Sequence, residues 1–545
     1  MTANRFFDDL KKVREEWKRD RLNGPYSPDE INYRKLQEKK KIEAASSRDS
    51  YVTPELPLTS RFEGMWVVGR QGSGKTQLFK YLLSRDLDLV AAGKASIIVL
   101  DPTGVEAPTV DGGGKIVDGG TLIDSLIHLK RFARGGDLYG KLVYINPADA
   151  QYALPINLLS LRPNLSDRAA VTSAIASYLS IMGGLMGQPL TNFQDPVFRY
   201  AIQVALAFPN PTLETLRNIL EVPTVPRGAT PPTPFYQSAL DRVDPVVARY
   251  MCTTYEGQTA RGSRGELVNR LASLTADPTF RDIFMASQTT IDFSAEINEP
   301  KVIVINASRA DLQTTKELYG RYFLALIKRA GESRPANSIP CFIYIDECDE
   351  FVANDRNTAD IILKLRRKRM ALMLGNQVVS RITDSSVRQA FLGTAIKFVN
   401  ADRDSAVELA ENMNLIGENG RPDVSFLVGR PRFNFAYHVQ GEMDEPIAFK
   451  FKPGTLESEP RMNDDEFDAL WEEIRDRYYI PIRRDRGPGA DSLVETAPPV
   501  YSTNRQRFDG AASRAVDPPG PIDEPHSPAS EPDATKDTEG DAEWG

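Results

Sequence analysis

Seven short apolar runs punctuate this chain, and the segments between them keep a helical period. Met65-Trp66-Val67-Val68, Ser96–Asp101, Lys141 to Ile145, Lys301–Asn306, Cys341–Ile345, Ala371 to Leu374 and Ala395 to Val399 are each four to six residues long. They are rich in Val, Ile and aromatic side chains, which marks strands buried on both faces. A helical pattern follows the first run, Gln77 to Leu83, and a long one follows the fourth, Lys316 to Ala330. Strands alternating with helices imply a mostly parallel sheet covered by helices on both faces, an α/β fold. Between 163 and 290 the strand signals vanish. Helical periodicity runs through Ala169 to Met182, Pro196 to Phe208, Thr212 to Leu220, Gln237 to Tyr250, Gly265 to Leu274 and Thr279 to Met285, with a Pro-rich interruption at Pro223 to Pro234. This stretch reads as an all-α domain inserted into the α/β core.

The ends differ from the middle. Phe6, Phe7, Leu10, Val13 and Trp17 recur at helical spacing, predicting an amphipathic helix from Asn4 to Leu22, stopped at Asn23-Gly24-Pro25; a second charged helix is expected from Asp29 to Ala45. Asn463 to Tyr478 carries a stripe of Phe467, Leu470, Trp471 and Ile474, with Asn463 as its N-cap. Beyond Asp485 the composition of Pro, Ser, Ala and acids cannot bury enough surface to offset its ordering entropy, and disorder is expected. The organisation is then 1–50 charged helices, 51–162 with 291–455 the core, 163–290 the insertion, 456–484 a C-terminal helix, and 485–545 an acidic tail.

Charge adds one refinement. The chain carries −8, but residues 486–545 hold 12 acidic against 5 basic side chains, so the remainder is nearly neutral and leaves room for basic grooves. Three scattered cysteines, Cys252, Cys341 and Cys348, are too few for a disulfide framework or a zinc site and fit a reducing compartment. No apolar stretch is long enough to span a membrane, and the N-terminus lacks a signal-peptide core.

The chemistry is carried by two strand ends. After the first strand comes GRQGSGKT, Gly69 to Thr76, opening a helix. Strand, glycine loop and helix form the context of a phosphate-binding P-loop. Its glycines let the backbone approach a ligand, and the N–H groups of Gly69, Arg70, Gln71, Gly72, Ser73, Gly74, Lys75, Thr76 and Gln77 are placed to surround an anion at the helix N-terminus. Lys75 can reach the β- and γ-phosphates of ATP, and the Thr76 hydroxyl can take a Mg²⁺ ion. At the end of the fifth strand, Asp346 can hold that ion and Glu347 can align and deprotonate the attacking water. Asp349 and Glu350 read as a solvated turn. Lys364-Leu365-Arg366-Arg367-Lys368-Arg369 suits either a favourable helix C-terminus or phosphate contacts, including an arginine reaching a neighbour's ATP. Gln377, in Gly375-Asn376-Gln377 after the sixth strand, could sense the γ-phosphate.

The order GRQGSGKT, IIVLDPTG, VYINPADA, a helical insertion, KVIVINAS, FIYIDECDEF and LGNQ resembles the conjugative type IV coupling proteins of the FtsK/HerA superfamily, over roughly residues 60–410. The resemblance implies a RecA-like P-loop NTPase core with an inserted all-α domain. It matches Lys75 and Thr76 to the P-loop pair, Asp346 and Glu347 to the Walker B acids, Gln377 to the family's downstream glutamine, and Arg366 to its arginine finger. It further implies a homo-hexamer with ATP and Mg²⁺ between subunits and single- or double-stranded DNA in the channel. A relaxase or secreted protein, and a membrane-channel component, are the other partners it suggests. Three features depart from the family: no N-terminal transmembrane helices are present, Thr103 and Val105 stand where the family's Asp-Pro-Lys-Gly-Glu turn has lysine and glutamate, and the folded part is not strongly basic. The expectation is a cytoplasmic ATP-driven translocase brought to the inner membrane by a partner. The alternatives are a viral genome-packaging ATPase of the same superfamily and a nucleotide-switched recruiter of protein cargo.

Overall fold

The computed structural model describes residues 56–482, apart from 106–108, 111–115, 119, 148, 150, 161–162, 164, 187–189, 225–233, 309–312, 349–355 and 418–419. The two expected N-terminal helices, the Asp349-Glu350 turn and the acidic tail lie outside the described residues.

Nine strands form one sheet. In chain order they are β1 (Met65–Gly69), β2 (Ser96–Asp101), β3 (Leu142–Ile145), β4 (Val302–Asn306), β5 (Cys341–Ile345), β6 (Met370–Asn376), β7 (Ile396–Asn400), β8 (Asn434–Val439) and β9 (Ile447–Lys450). Their spatial order is β9-β8-β7-β1-β6-β5-β2-β4-β3. The seven strands from β7 to β3 are mutually parallel, and β8 and β9 are added antiparallel beyond β7. The seven parallel strands are the seven runs read from the sequence, and each is buried along its whole length. That is why they read as continuous apolar runs rather than alternations.

β8 and β9 are not among the runs predicted from the sequence. β8 mixes Asn434 and His438 with Phe435 and Tyr437, and β9 is half-buried. Their aromatic side chains still close the sheet: the Phe398 ring lies 4.9 Å from Tyr437 and 5.5 Å from Phe449, centroid to centroid.

Between β3 and β4 the described elements beyond the short Tyr152–Ala153 strand are helical: Arg168–Met186, Gln194–Leu206, Leu213–Glu221, Pro234–Leu240, Pro245–Cys252, Gln258–Thr275, Pro278–Phe284 and Phe293–Glu296, with a single 3-10 turn. Two boundaries differ from expectation. The helix predicted as Gln237 to Tyr250 is broken, because Asp244 caps a new helix on the Val246 N–H and Pro245 occupies its first turn. The helix predicted from Gly265 begins at Gln258 instead. Gly262 and Gly265 look like breakers in sequence, but each faces open space within a continuous helix.

The helix Asp464–Tyr478 folds back on edge strand β3. The Asn463 side chain accepts from the Glu466 N–H at 2.8 Å and Glu466 accepts from the Asn463 N–H at 3.1 Å, the reciprocal cap that the sequence suggests in half. Trp471 packs 5.3 Å from Tyr144, and the Tyr479 hydroxyl donates to the Tyr144 carbonyl.

Candidate functional site

The C-terminal ends of β1, β6, β5 and β2 lie side by side, and each contributes polar groups to one edge of the sheet. Such edges are where open α/β sheets bind ligands. β1 feeds Gly69 to Thr76 into the helix Lys75–Ala91. Gly72 and Gly74 have φ of 76° and 98°, the left-handed region open to glycine. A side chain at Gly74 would also strike the Phe433 ring, 2.5 Å from where its Cβ would stand. Phe433, itself at φ 63°, donates its backbone N–H to the Ser73 carbonyl at 2.9 Å and so clasps the loop from outside. Asn400 holds that segment in place through three backbone carbonyls, of Arg430, Pro431 and Asn434.

Lys75 and Thr76 turn from this loop toward β5. The Thr76 hydroxyl donates to Asp346 Oδ2 at 2.6 Å, and Lys75 Nζ stands 3.1 Å from Glu347 Oε1. The two halves of the predicted site, 270 residues apart in sequence, therefore meet in one cluster. Between their strands runs β6. Asn376 at its end is fixed by the Trp66 indole N–H at 2.8 Å, and Gln377 then donates its amide to Glu347 Oε2 at 3.0 Å. Gln377 thus touches the Glu347 carboxylate, an arrangement not foreseen from sequence, where it is assigned to the γ-phosphate.

Glu347 is the strained member. Its φ is 43°, rare for a residue with a Cβ, and such a conformation costs on the order of 1–3 kcal/mol. Its own backbone N–H donates to Asp346 Oδ1 at 2.9 Å. Burial and the adjacent Asp346 charge raise its pKa, against the opposing pull of Lys75 and Gln377. Gly375, on β6, makes this packing feasible: a Cβ there would stand 2.8 Å from Asp346 Oδ1 and 3.1 Å from the Phe79 ring.

One acid escaped assignment at the sequence level. Asp101 ends β2, one step beyond the Leu100–Ile345 pairing, and so sits beside Asp346. Its Oδ1 accepts from the Thr103 N–H at 2.8 Å and the Thr103 hydroxyl at 2.5 Å, while its buried Oδ2 has no partner among the described residues. Burial first, then Asp346, push its pKa up to about 7. Only the strand order reveals it, since the sequence shows an Asp-Pro turn and nothing of what lies next door.

Other predicted residues are placed elsewhere. Arg70 and Gln71 are exposed on the loop, with Arg70 Nη2 donating to the Arg430 carbonyl at 3.3 Å. The Gln77 side chain is engaged with the segment after β9. Its amide donates to Glu457 at 2.7 Å and its carbonyl accepts from the Gly454 N–H at 2.7 Å. Glu457 also takes a buried ion pair from Lys80 at 2.7 Å, which pins the segment after β9 to the P-loop helix. Arg366 is not brought to this cluster. It precedes β6, at the opposite edge of the parallel sheet, half-exposed and 3.6 Å from Glu63.

The residues present fit a nucleotide-bound magnesium ion. Thr76 and Asp346 offer two hard oxygens 2.6 Å apart, the Asp101 carboxylate lies beside them, and the described residues hold no group of three or more His, Cys, Asp or Glu placed to cage a metal by themselves. Mg²⁺ suits such a sparse set, because it keeps several waters and takes its remaining ligands from phosphates.

No family model and no curated protein matches the chain. Solved structures do. A bacterial conjugative coupling protein, TrwBdeltaN70 in its unbound monoclinic form, is similar at 12% identity with a TM-score of 0.52, over 76% of this chain and 91% of that one. TrwB in complex with ADP and Mg²⁺ is similar at 11% identity and a TM-score of 0.51, over 78% and 94%. At that identity the likeness speaks for the fold: this chain has the α/β P-loop NTPase fold of the plasmid coupling protein TrwB.

Proposed function

We propose that this chain is an ATPase that drives DNA or nucleoprotein to a type IV secretion or conjugation channel, as a soluble counterpart of the coupling proteins. The observation that carries the reading is the meeting of Lys75 and Thr76 with Asp346 and Glu347, with Gln377 on the same carboxylate. The fold's likeness to TrwB, one of whose structures holds ADP and Mg²⁺, supports it. The core of 51–162 and 291–455 would be the motor, and the helical insertion 163–290 its contact with cargo or channel.

In this reading the loop N–H groups and Lys75 bind and orient the triphosphate of ATP. Thr76 and Asp346 hold Mg²⁺, which when bound offsets the negative charge on the phosphates. Glu347 accepts the proton of the attacking water, and Gln377 fixes the rotamer of its carboxylate. Arg366, remote from its own P-loop, acts across a subunit boundary on a neighbour's ATP, which calls for a ring, taken to be a hexamer. No described helix is long and apolar enough to cross a membrane. Contact with the inner membrane would then come through a channel component.

The test is ATP turnover with single-stranded DNA, double-stranded DNA and no DNA, at low salt because phosphate contacts weaken steeply with ionic strength. A mass measurement with a non-hydrolysable nucleotide accompanies it. DNA-stimulated turnover by a ring supports the reading; turnover indifferent to both DNAs removes DNA as the cargo.

A further inference from the structure

Away from the phosphate loop, a cavity of about 270 Å³ opens where the chain leaves the sheet for the helical segment and returns from it. The outgoing neck, Ile156 to Ser160, and the returning neck, Thr289 to Ser294, form two of its walls. They are tied to each other and to the helices beyond: the Asn157 N–H donates to the Thr289 hydroxyl at 2.9 Å, and Ile156 to the Ile283 carbonyl at 2.7 Å. The third wall is one face of the helix Gln313–Glu332, where Tyr322, Leu326 and Arg329 recur at helical spacing.

Two groups in this wall are left unsatisfied. Tyr322 is fully buried, yet its hydroxyl has no hydrogen-bond partner among the described residues. Arg329 is half-buried and its guanidinium makes no hydrogen bond or ion pair with any described residue. Asp292, exposed, is the carboxylate whose charge acts on it, and that carboxylate is engaged with the Ala295 N–H at 3.0 Å. A buried hydroxyl left unpaired pays its desolvation without return. Arg334, by contrast, donates to five acceptors. The Thr289 hydroxyl, which accepts from Asn157, still has its own hydrogen to give. Ile156, Leu158 and Phe293 make the other side of the cavity apolar.

We infer that this neck cavity is a binding site for a small organic anion, one carboxylate or phosphate on an apolar body, with the anion on Arg329 and the Tyr322 hydroxyl. A ligand there touches both necks and the core helix at once. It would fasten the helical segment to the sheet, independently of whether the phosphate loop turns over ATP. Charge-assisted bonds to Arg supply the affinity, and the volume excludes a large ligand.

The experiment titrates the full chain, carrying Lys75→Ala to silence the phosphate loop, with phenyl phosphate and benzoate, reading calorimetric heat and thermal midpoint. Saturable binding of one or both is expected, and the tighter of the two tells whether phosphate or carboxylate is the preferred anion. Arg329→Gln should weaken it about tenfold or more. Tyr322→Phe should weaken it severalfold while leaving the unliganded protein at least as stable, since it removes an unsatisfied hydroxyl. Benzyl alcohol, which lacks the anion, should not bind. Absence of saturable binding, affinity unchanged by both substitutions, or equal binding of benzyl alcohol would overturn the proposal.

Discussion

The two edges of the parallel sheet handle buried charge in opposite ways. At the edge where strands begin, two buried arginines are matched. Arg61 sets its guanidinium on Asp86 at 2.9 and 2.5 Å, Tyr344 donates to the same carboxylate at 2.6 Å, and the Arg61 cation lies 3.6 Å from the Phe342 ring centre. Arg334 is met by five acceptors. At the edge where strands end, burial and the Asp346 charge raise the pKa of Asp101 and Glu347 while one lysine pairs with Glu347, Glu347 is strained, and Asp101 Oδ2 and Ser73 Oγ go without hydrogen-bond partners among the described residues. Matched charge specifies a fold. Charge left short of partners, with strain beside it, is what a site looks like before its ligand completes it.

Several substitutions would break or sharpen this contrast. Lys75→Ala, at the ligand edge, should cut ATP turnover by on the order of 10²–10³-fold while the thermal midpoint barely moves, read by phosphate release and melting. Arg61→Met, at the fold edge, should do the reverse. It strands Asp86 in the core and should cost about 3–5 kcal/mol in urea unfolding, with turnover per folded molecule nearly unchanged.

A subtler test is pH. Lys397 on β7 is fully buried, and burial lowers its pKa from an ordinary 10.5 to about 7. Between those values the unfolded chain holds a proton that the folded chain lacks, so stability rises with pH there, with a slope approaching about 1.4 kcal/mol per pH unit, and the penalty is fully present below 7. His438, its cross-strand partner on β8, is lowered to about 4, first by burial and then by Lys397. Stability should therefore fall again as pH drops from about 6.5 toward 4. Lys397→Met should flatten the upper slope in denaturation curves taken across this range. The smallest effect expected is that of Gly375→Ala. Its methyl would press on Asp346 and Phe79, costing roughly 1–3 kcal/mol of stability and displacing Asp346 enough to slow turnover, whereas the same change at Gly262 should be silent.

What sequence could reveal follows from the same division. The seven parallel strands are legible because each is buried on both faces, and the phosphate loop and Asp346-Glu347 are legible because each is a local pattern at a strand end. β8 and β9 escape because one mixes polar with aromatic positions and the other is half-exposed. The contributions of Asp101, Gly375 and Phe433 escape for a different reason: none has a local signature, and each depends on which strand or loop lies beside it. Gln377 is found by its place after β6, but its contact with Glu347 needs the order β1-β6-β5. Gln77, whose backbone N–H the sequence places at the anion, has its side chain on Gly454 and Glu457, a contact with no local signature. Arg366 lies at the opposite edge of the parallel sheet, 3.6 Å from Glu63, so the pattern that suggests a finger finds no phosphate loop beside it in this chain.

The central claim is that one carboxylate, Glu347, performs proton transfer in a pocket whose nucleotide is held by other groups. Nucleotide affinity and turnover measured side by side for Glu347→Gln test it most directly. Nucleotide binding within about threefold of wild type, with turnover down on the order of 10²–10⁴-fold, is the expected outcome. Turnover left intact would show that the base lies elsewhere and that the convergence of Lys75 with Glu347 is only a structural ion pair.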